Sequence, residues 1–303
     1  MVEGLALGRR DDHRDRIGKN VTLELLVRHG SLEVTRHKIE ADKHFYLDEA
    51  DDWSGFEFIF LLSGKLRLEE GDVHTELGPG EYMHHSGLSK RAFFRVMEEV
   101  ELLMVSSPPS MHLVRDEIQD MLALARSVEE KDKETEGHCH RLERLAILTG
   151  ERLGLSSQKL INLSYGAYLH DIGKVKVPDE ILGKAESLTD DEWEAMRRHP
   201  ALGEEMLMEK DFLAEAGRIV RAHHERYDGT GYPDGLSGEE IPIEARVIAV
   251  VDAYDAITSD RPYQPALDRT EALKELQLGA GTHFDPVVVR AFSSLISEDD
   301  DSA

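Results

Sequence analysis

The sequence predicts a multidomain protein, an N-terminal all-β domain followed by an all-α helical bundle. Three observations carry that expectation. From Val21 to Ser106 the chain is a series of short β-prone runs (VTLELLV, HFYL, FEFIFLL, KLRLEE, VHTEL, AFFRVM and VELLMVS) divided by Gly, Asp and Ser. Ser107-Pro108-Pro109-Ser110 then breaks the pattern, because consecutive prolines cannot serve a central strand and readily form an extended linker. Beyond the prolines the apolar spacing becomes three and four, the mark of amphipathic helices. The boundary therefore falls at 107/108, and 303 residues suffice for two domains with cores of their own.

Within the first domain, Leu66 and Leu68, then Val73, Thr75 and Leu77, alternate with period two. Many short strands at this spacing favour a β-sandwich or barrel. The second domain opens on a seam, Met111, Val114, Ile118, Met121, Ala125 and Val128, which either pairs two subunits or packs on its own domain. Helical periodicity continues through Leu142–Leu153, Leu160–Leu169, Asp190–Met208, Phe212–Glu225, Ala245–Ile257 and Arg269–Leu278. Thr189 followed by Asp190, Asp191 and Glu192 supplies an N-cap and an acidic first turn.

Composition narrows the functional classes. A net charge of −25 repels polyanions, which disfavours generic nucleic-acid or membrane-surface binding. An anionic substrate then needs a locally reversed field, and bound divalent cations are a compact source of one. Cys139 is the only cysteine, which excludes an intrachain disulfide and a zinc ribbon and fits a reducing compartment. No apolar run reaches the length of a membrane span or a signal peptide, so the expected location is the cytoplasm.

The chemistry-bearing residues cluster in the second domain. His170-Asp171 ends an apolar helical run, and His223-His224 lies in RAHHERYDGTGYP. Imidazole with carboxylate suits first-row metals such as Mn, Fe and Zn, and a carboxylate at Asp171 is able to bridge two cations. Glu134 and His138 stand four apart on one helix face, and His199, His223, His224 and Asp252 are expected at or near helix ends. Eight ligand groups (Glu134, His138, His170, Asp171, His199, His223, His224 and Asp252) exceed the needs of one ion, so two or three neighbouring ions are expected. Each residue taken singly also reads as an ordinary solvated polar side chain.

Six ordered segments, ETEGHCHR, HDIGK, VPDEILGKAESLTDDEW, RRHPALGEEML, HHERYDGTGYP and VVDAYDAITSDRPY, make residues 111–295 resemble an HD-GYP domain, with Gly231-Tyr232-Pro233 as the tripeptide. The resemblance implies a helical bundle holding iron or manganese and a phosphodiesterase that hydrolyses cyclic di-GMP to pGpG and/or GMP through a metal-activated hydroxide. It carries over His138, His170, Asp171, His199, His223, His224 and Asp252 as metal ligands, with Asp171 as the bridge. Glu134 implies a third ion, against the alternative of a solvent-facing glutamate.

Lys174, three residues beyond Asp171, is expected to reach the same mouth and stabilise the phosphate as a point charge, with a salt bridge as the alternative. Asp171 and Lys174 are thus the catalytic candidates. The family likeness gives Arg261 to the second phosphate or the guanine, the rival role being a helix-capping arginine. Gln264 stands where family members often carry a basic residue. Gly229 and Gly231 permit positive φ and Pro233 fixes the loop exit, so Gly231, Tyr232 and Pro233 are expected to position substrate or contact a partner.

The segment FEFIFLLSGKLRLEEGDVHTELGPGEYMHH resembles a small cupin over residues 20–106. Glu57 and His84 or His85 match cupin metal positions, but the paired histidines of the first motif are replaced by Trp53 to Phe56. The expected role is a ligand sensor or dimerisation module regulating the helical domain. The chain thus reads as a cyclic-dinucleotide phosphodiesterase, with a non-catalytic nucleotide-binding adaptor or an enzyme for another cyclic dinucleotide as alternatives. A homodimer is expected through the β-domain or the 111–131 helix, with no nucleic-acid polymer and no membrane as partner.

Overall fold

The computed structural model describes residues 15–17, 21–47, 55–70, 73–107, 123, 125, 128, 137–184, 186–210, 213–259 and 266–301. Two compact units emerge, Met1–Met121 and Leu122–Ala303. Glu134, Arg261, Gln264 and most of the 111–131 seam lie outside the described residues.

The first unit is an antiparallel sheet of β1 (Asp15–Ile17), β2 (Val21–His29), β3 (Leu32–Ile39), β4 (His44–Leu47), β5 (Phe56–Glu70), β6 (Val73–Leu77), β7 (Tyr82–His85) and β8 (Ala92–Ser107). The order is β1-β2-β3-β8-β5-β6, with β4 beside β8 and β7 beside β5. FEFIFLL and KLRLEE, which the punctuation separates, are one strand: register shifts between Leu61 and Leu66 absorb Ser63-Gly64 as a bulge. The bends bring Ile59 and Leu61 from one half of β5, Leu66 from the other, and Val96, Val100 and Leu102 of β8 into one core.

Strand β3 is absent from the sequence reading because its inner face is polar. Glu33 and Thr35 are buried there, and Glu33 accepts from the Arg28 guanidinium. A buried carboxylate needs such a partner, and the pair hides the apolar alternation that normally signals a strand.

The second unit comprises α1 (His138–Arg152), α2 (Ser157–Leu169), a 3₁₀ turn (Ile172–Lys176), α3 (Asp179–Leu182), α4 (Asp190–Met196), α5 (His199–Met208), α6 (Ala214–Ala222), α7 (Ile243–Thr258), α8 (Arg269–Leu278) and α9 (Pro286–Asp301). Its core joins Leu142 and Ala146 of α1, Leu163 and Ala167 of α2, Ile219 of α6, Val247, Ile248 and Val251 of α7, and Phe292 of α9. Ser156 caps α2 and Thr189 forms a capping box with Glu192 on α4. No helix among the described residues is long and apolar enough to cross a membrane.

The stretch Asp190–Met208, expected as one helix, is two. Pro200 has no N–H to return to the Met196 carbonyl and its ring crowds that position, so α4 ends and α5 begins at His199. The freed carbonyl accepts a hydrogen bond from His199 Nδ1 at 2.8 Å.

Candidate metal centre

That substitution of a ring N–H for a backbone N–H recurs. His170 follows α2 and donates Nδ1 to the Ala167 carbonyl at 2.9 Å; His223 follows α6 and donates to Val220 at 2.6 Å. In all three cases the acceptor lies three residues back, among the last carbonyls of a helix, which lack the regular intrahelical bond from four residues on; Val220 also accepts from the His223 backbone amide at 3.5 Å. A carbonyl only accepts, so Nδ1 carries the proton and Nε2 carries the lone pair. The helix ends thereby set both ring orientation and tautomer.

The Nε2 atoms converge. His199 Nε2 lies 3.4 Å from His223 Nε2 and 3.1 Å from Asp171 Oδ1, and His170 Nε2 lies 3.2 Å from Asp171 Oδ2. Lone pairs facing one another and a carboxylate repel unless a cation stands among them. Two groups meet the requirement for such an ion: Asp171, His199, His223 and His224, and separately His138, His170 and Asp252, each with ligand atoms within 4.8 Å. The donor set therefore fits divalent metal, and Asp171 reaches both groups, Oδ1 toward His199 and His223 and Oδ2 toward His170.

Electrostatics agree with this assignment. Burial, followed by the neighbouring His224 and His199, holds His223 well below the ordinary imidazole pKa, and burial lowers His224 to about 4. Both are neutral, as ligands must be. Burial alone would raise Asp171, but Lys174 and His170 hold its carboxyl well below the usual range. Lys174 Nζ donates to Asp171 Oδ2 at 2.7 Å, so the salt bridge weighed against the catalytic role for this lysine is present.

The 3₁₀ turn that carries Lys174 packs tightly on α5. A Cβ on Gly173 would stand 2.0 Å from the His199 carbonyl oxygen, so glycine alone lets Asp171 and His199 approach. Gly231 works the same way rather than through positive φ. Its missing Cβ would meet Arg226 N at 2.3 Å, whereas Gly229 does have φ +78. Glu225 accepts from the amides of Asp234 and Gly235, pinning the loop. Tyr232 then stacks on His224 with centroids 4.9 Å apart. Burial, followed by the charge of Asp171, pushes its hydroxyl up to about 12.

Asp252 lies inside α7 rather than near its end, with Oδ1 3.7 Å from His138 Nε2. Behind His138 stand two residues that no motif in the sequence singles out. Asp255 Oδ2 accepts from His138 Nδ1 at 2.7 Å, and Arg141 clamps the same carboxylate with Nε and Nη2 at 2.9 Å each. The signal was present in the spacing: Asp252 and Asp255, like His138 and Arg141, are three apart and share a helix face.

In the β-unit, Glu57 and His85 are cross-strand partners with Oε2 and Nε2 3.0 Å apart, while His84 faces the other way beside Phe56 and Tyr82. Among the described residues, groups of three or more ligand side chains occur in the helical unit alone.

The HD domain family model matches residues 113–288, more than half of the chain. This chain belongs to the HD domain family. The chain shares 43% identity over 185 residues with the cyclic di-GMP phosphodiesterase response regulator RpfG of Xanthomonas campestris pv. campestris, covering 60% of this chain and 49% of that protein. A 3'3'-cGAMP-specific phosphodiesterase 2 of Vibrio cholerae is 34% identical over 214 residues, covering 69% and 38%. The chain thus spans half or less of the length of these two relatives. A solved RmlC-like cupin from Shewanella frigidimarina aligns with 35% of this chain and 93% of its own at 10% identity and TM-score 0.30.

Proposed function

We propose that the HD domain is a metal-dependent phosphodiesterase that opens cyclic di-GMP to pGpG and/or GMP. The observation that carries the reading is Asp171, whose two oxygens serve the two ligand groups at once. The cyclic di-GMP phosphodiesterase name of the relative at 43% identity supports the same substrate. Two divalent ions suit the seven described ligands, iron or manganese being what the HD-GYP resemblance implies within the first-row metals that an imidazole–carboxylate set accepts, and Glu134 is the ligand for a third. When bound, such ions supply Lewis acidity toward phosphate oxygens and a nucleophile at neutral pH.

The side chains divide the remaining work. His138, His170, His199, His223 and His224 present fixed lone pairs, and Asp171 and Asp252 supply the anionic ligands. Lys174 joins His170 and His199 in holding Asp171 ionised and sets a positive charge beside the phosphate. Tyr232 covers His224, and with Gly231 and Pro233 it forms the substrate-facing loop. Arg261 takes the second phosphate or a guanine. The 1–107 β-domain regulates the 108–303 domain as a ligand sensor coupled to dimerisation, and the protein works in the cytoplasm.

The test is anaerobic loading with Fe(II) or Mn(II), incubation with cyclic di-GMP and chromatography of the products. Linear dinucleotide or GMP is expected. Intact substrate beside an active control enzyme sinks the reading, and binding without hydrolysis turns it to an adaptor. Because one relative is named for 3'3'-cGAMP, that substrate runs in parallel.

A further inference from the structure

An open cleft of about 460 Å³ lies on α4, lined by Asp190, Trp193, Glu194 and Arg197. Its volume falls within the roughly 300–1,000 Å³ of ligand clefts. Trp193 is 46% exposed, leaving indole surface in water. The Arg197 guanidinium carbon lies 5.8 Å from the Trp193 ring and 5.8 Å from the Tyr232 ring. Since Tyr232 stacks on His224, a ladder of planar groups runs from a metal ligand out to the cleft. Among the described residues Arg197 has no carboxylate within ion-pair reach, although Asp190 and Glu194 line the same cleft.

An aromatic platform, a planar cation and carboxylates in one cleft match a particular ring. Guanine offers O6 and N7 as paired acceptors, which an arginine fork reads in bidentate fashion. Its N1–H and N2–H donors suit a carboxylate, and its face stacks on indole. Adenine places an amino donor where O6 would be and a lone pair at N1, so the arginine fork loses one of its two acceptors and a carboxylate at N1 meets no donor. We infer that this cleft is the subsite for a guanine of the cyclic dinucleotide, with Trp193 as platform and Arg197 as the base-reading group. The inference rests on the phosphodiesterase reading of the adjoining centre.

Two measurements test it and separate its failure from failure of that reading. In turnover by the Mn(II)-loaded full chain, Trp193→Ala and Arg197→Ala are each expected to raise KM for cyclic di-GMP about tenfold or more, the effect of one lost base stack, with KM changing more than kcat. Arg197→Ala also narrows the preference over cyclic di-AMP, and metal content stays at the parent level. In binding, Trp53→Phe leaves Trp193 as the only tryptophan, and titration with GMP is expected to quench its fluorescence more strongly than AMP. If the parent hydrolyses nothing but GMP still quenches and Arg197→Ala abolishes the quench, the subsite stands and the phosphodiesterase reading falls. If neither variant alters KM or preference and GMP quenches no better than AMP, Trp193 and Arg197 are a helix-packing pair and the inference is overturned.

Discussion

Asp255 Oδ2 stands 2.7 Å from His138 Nδ1, across 117 residues of sequence, and the Arg141 guanidinium grips the same carboxylate. A carboxylate behind a metal-ligating histidine orients the ring and raises its basicity. Asp255→Asn keeps the shape and removes the charge. Metal affinity is expected to fall about 10–100-fold, with the far-UV circular dichroism unchanged. Metal per chain after dialysis against graded chelator measures it; retention equal to the parent would make Asp255 a fold residue only.

Lys174 and Asp171 separate metal binding from rate. Asp171→Ala removes the carboxylate whose two oxygens lie 3.1 Å from His199 Nε2 and 3.2 Å from His170 Nε2, one residue of each ligand set, so metal and turnover are both expected to vanish. Lys174→Ala is expected to keep metal and lose about 100-fold or more in kcat, the scale for one preorganised electrostatic partner. Elemental analysis beside single-turnover rates decides, and full activity in Asp171→Ala contradicts the bridge.

Gly173 allows the 3₁₀ turn to lie against α5. In Gly173→Ala the new methyl meets the His199 carbonyl and the Gly203 amide, so the backbones must part. The expected cost is about 1–3 kcal/mol or more, with weaker metal binding because Asp171 and His199 separate. Urea melts of the metal-free chain read the first effect and metal titration the second.

The buried histidines predict a pH dependence. Burial lowers His224 to about 4, against 6.5 in the unfolded chain. Between those values the unfolded state holds the extra proton, so stability is present above pH 6.5 and is lost as pH falls through the window to 4. The metal-free protein should lose up to about 3 kcal/mol from this group, and His224→Gln should flatten that part of the curve. Denaturant midpoints at pH 7, 5.5 and 4.5 check it; parallel curves for parent and variant would refute it.

Much of this architecture was legible because local chemistry dictated it. The change from period two to helical spacing marks the two kinds of unit, Thr189 and Glu192 announce a helix start, and the imidazole–carboxylate composition specifies a metal-binding class. Strand β3 escaped because Glu33 and Thr35 occupy its buried face. The break before His199 was written in Pro200, but its purpose, freeing the Met196 carbonyl for the ring, required the folded backbone.

By itself the sequence determined which side chains have the chemistry to bind metal and where the strand-forming part of the chain gives way to helices. Tertiary structure alone decided which Asp171 oxygen faces which histidines, that Asp255 and Arg141 stand behind His138, and that Tyr232 leads outward to Arg197 and Trp193. Periodicity encodes the face a residue occupies on its own helix. The distances between faces arise when helices far apart in sequence pack, with glycines such as Gly173 setting how near they come.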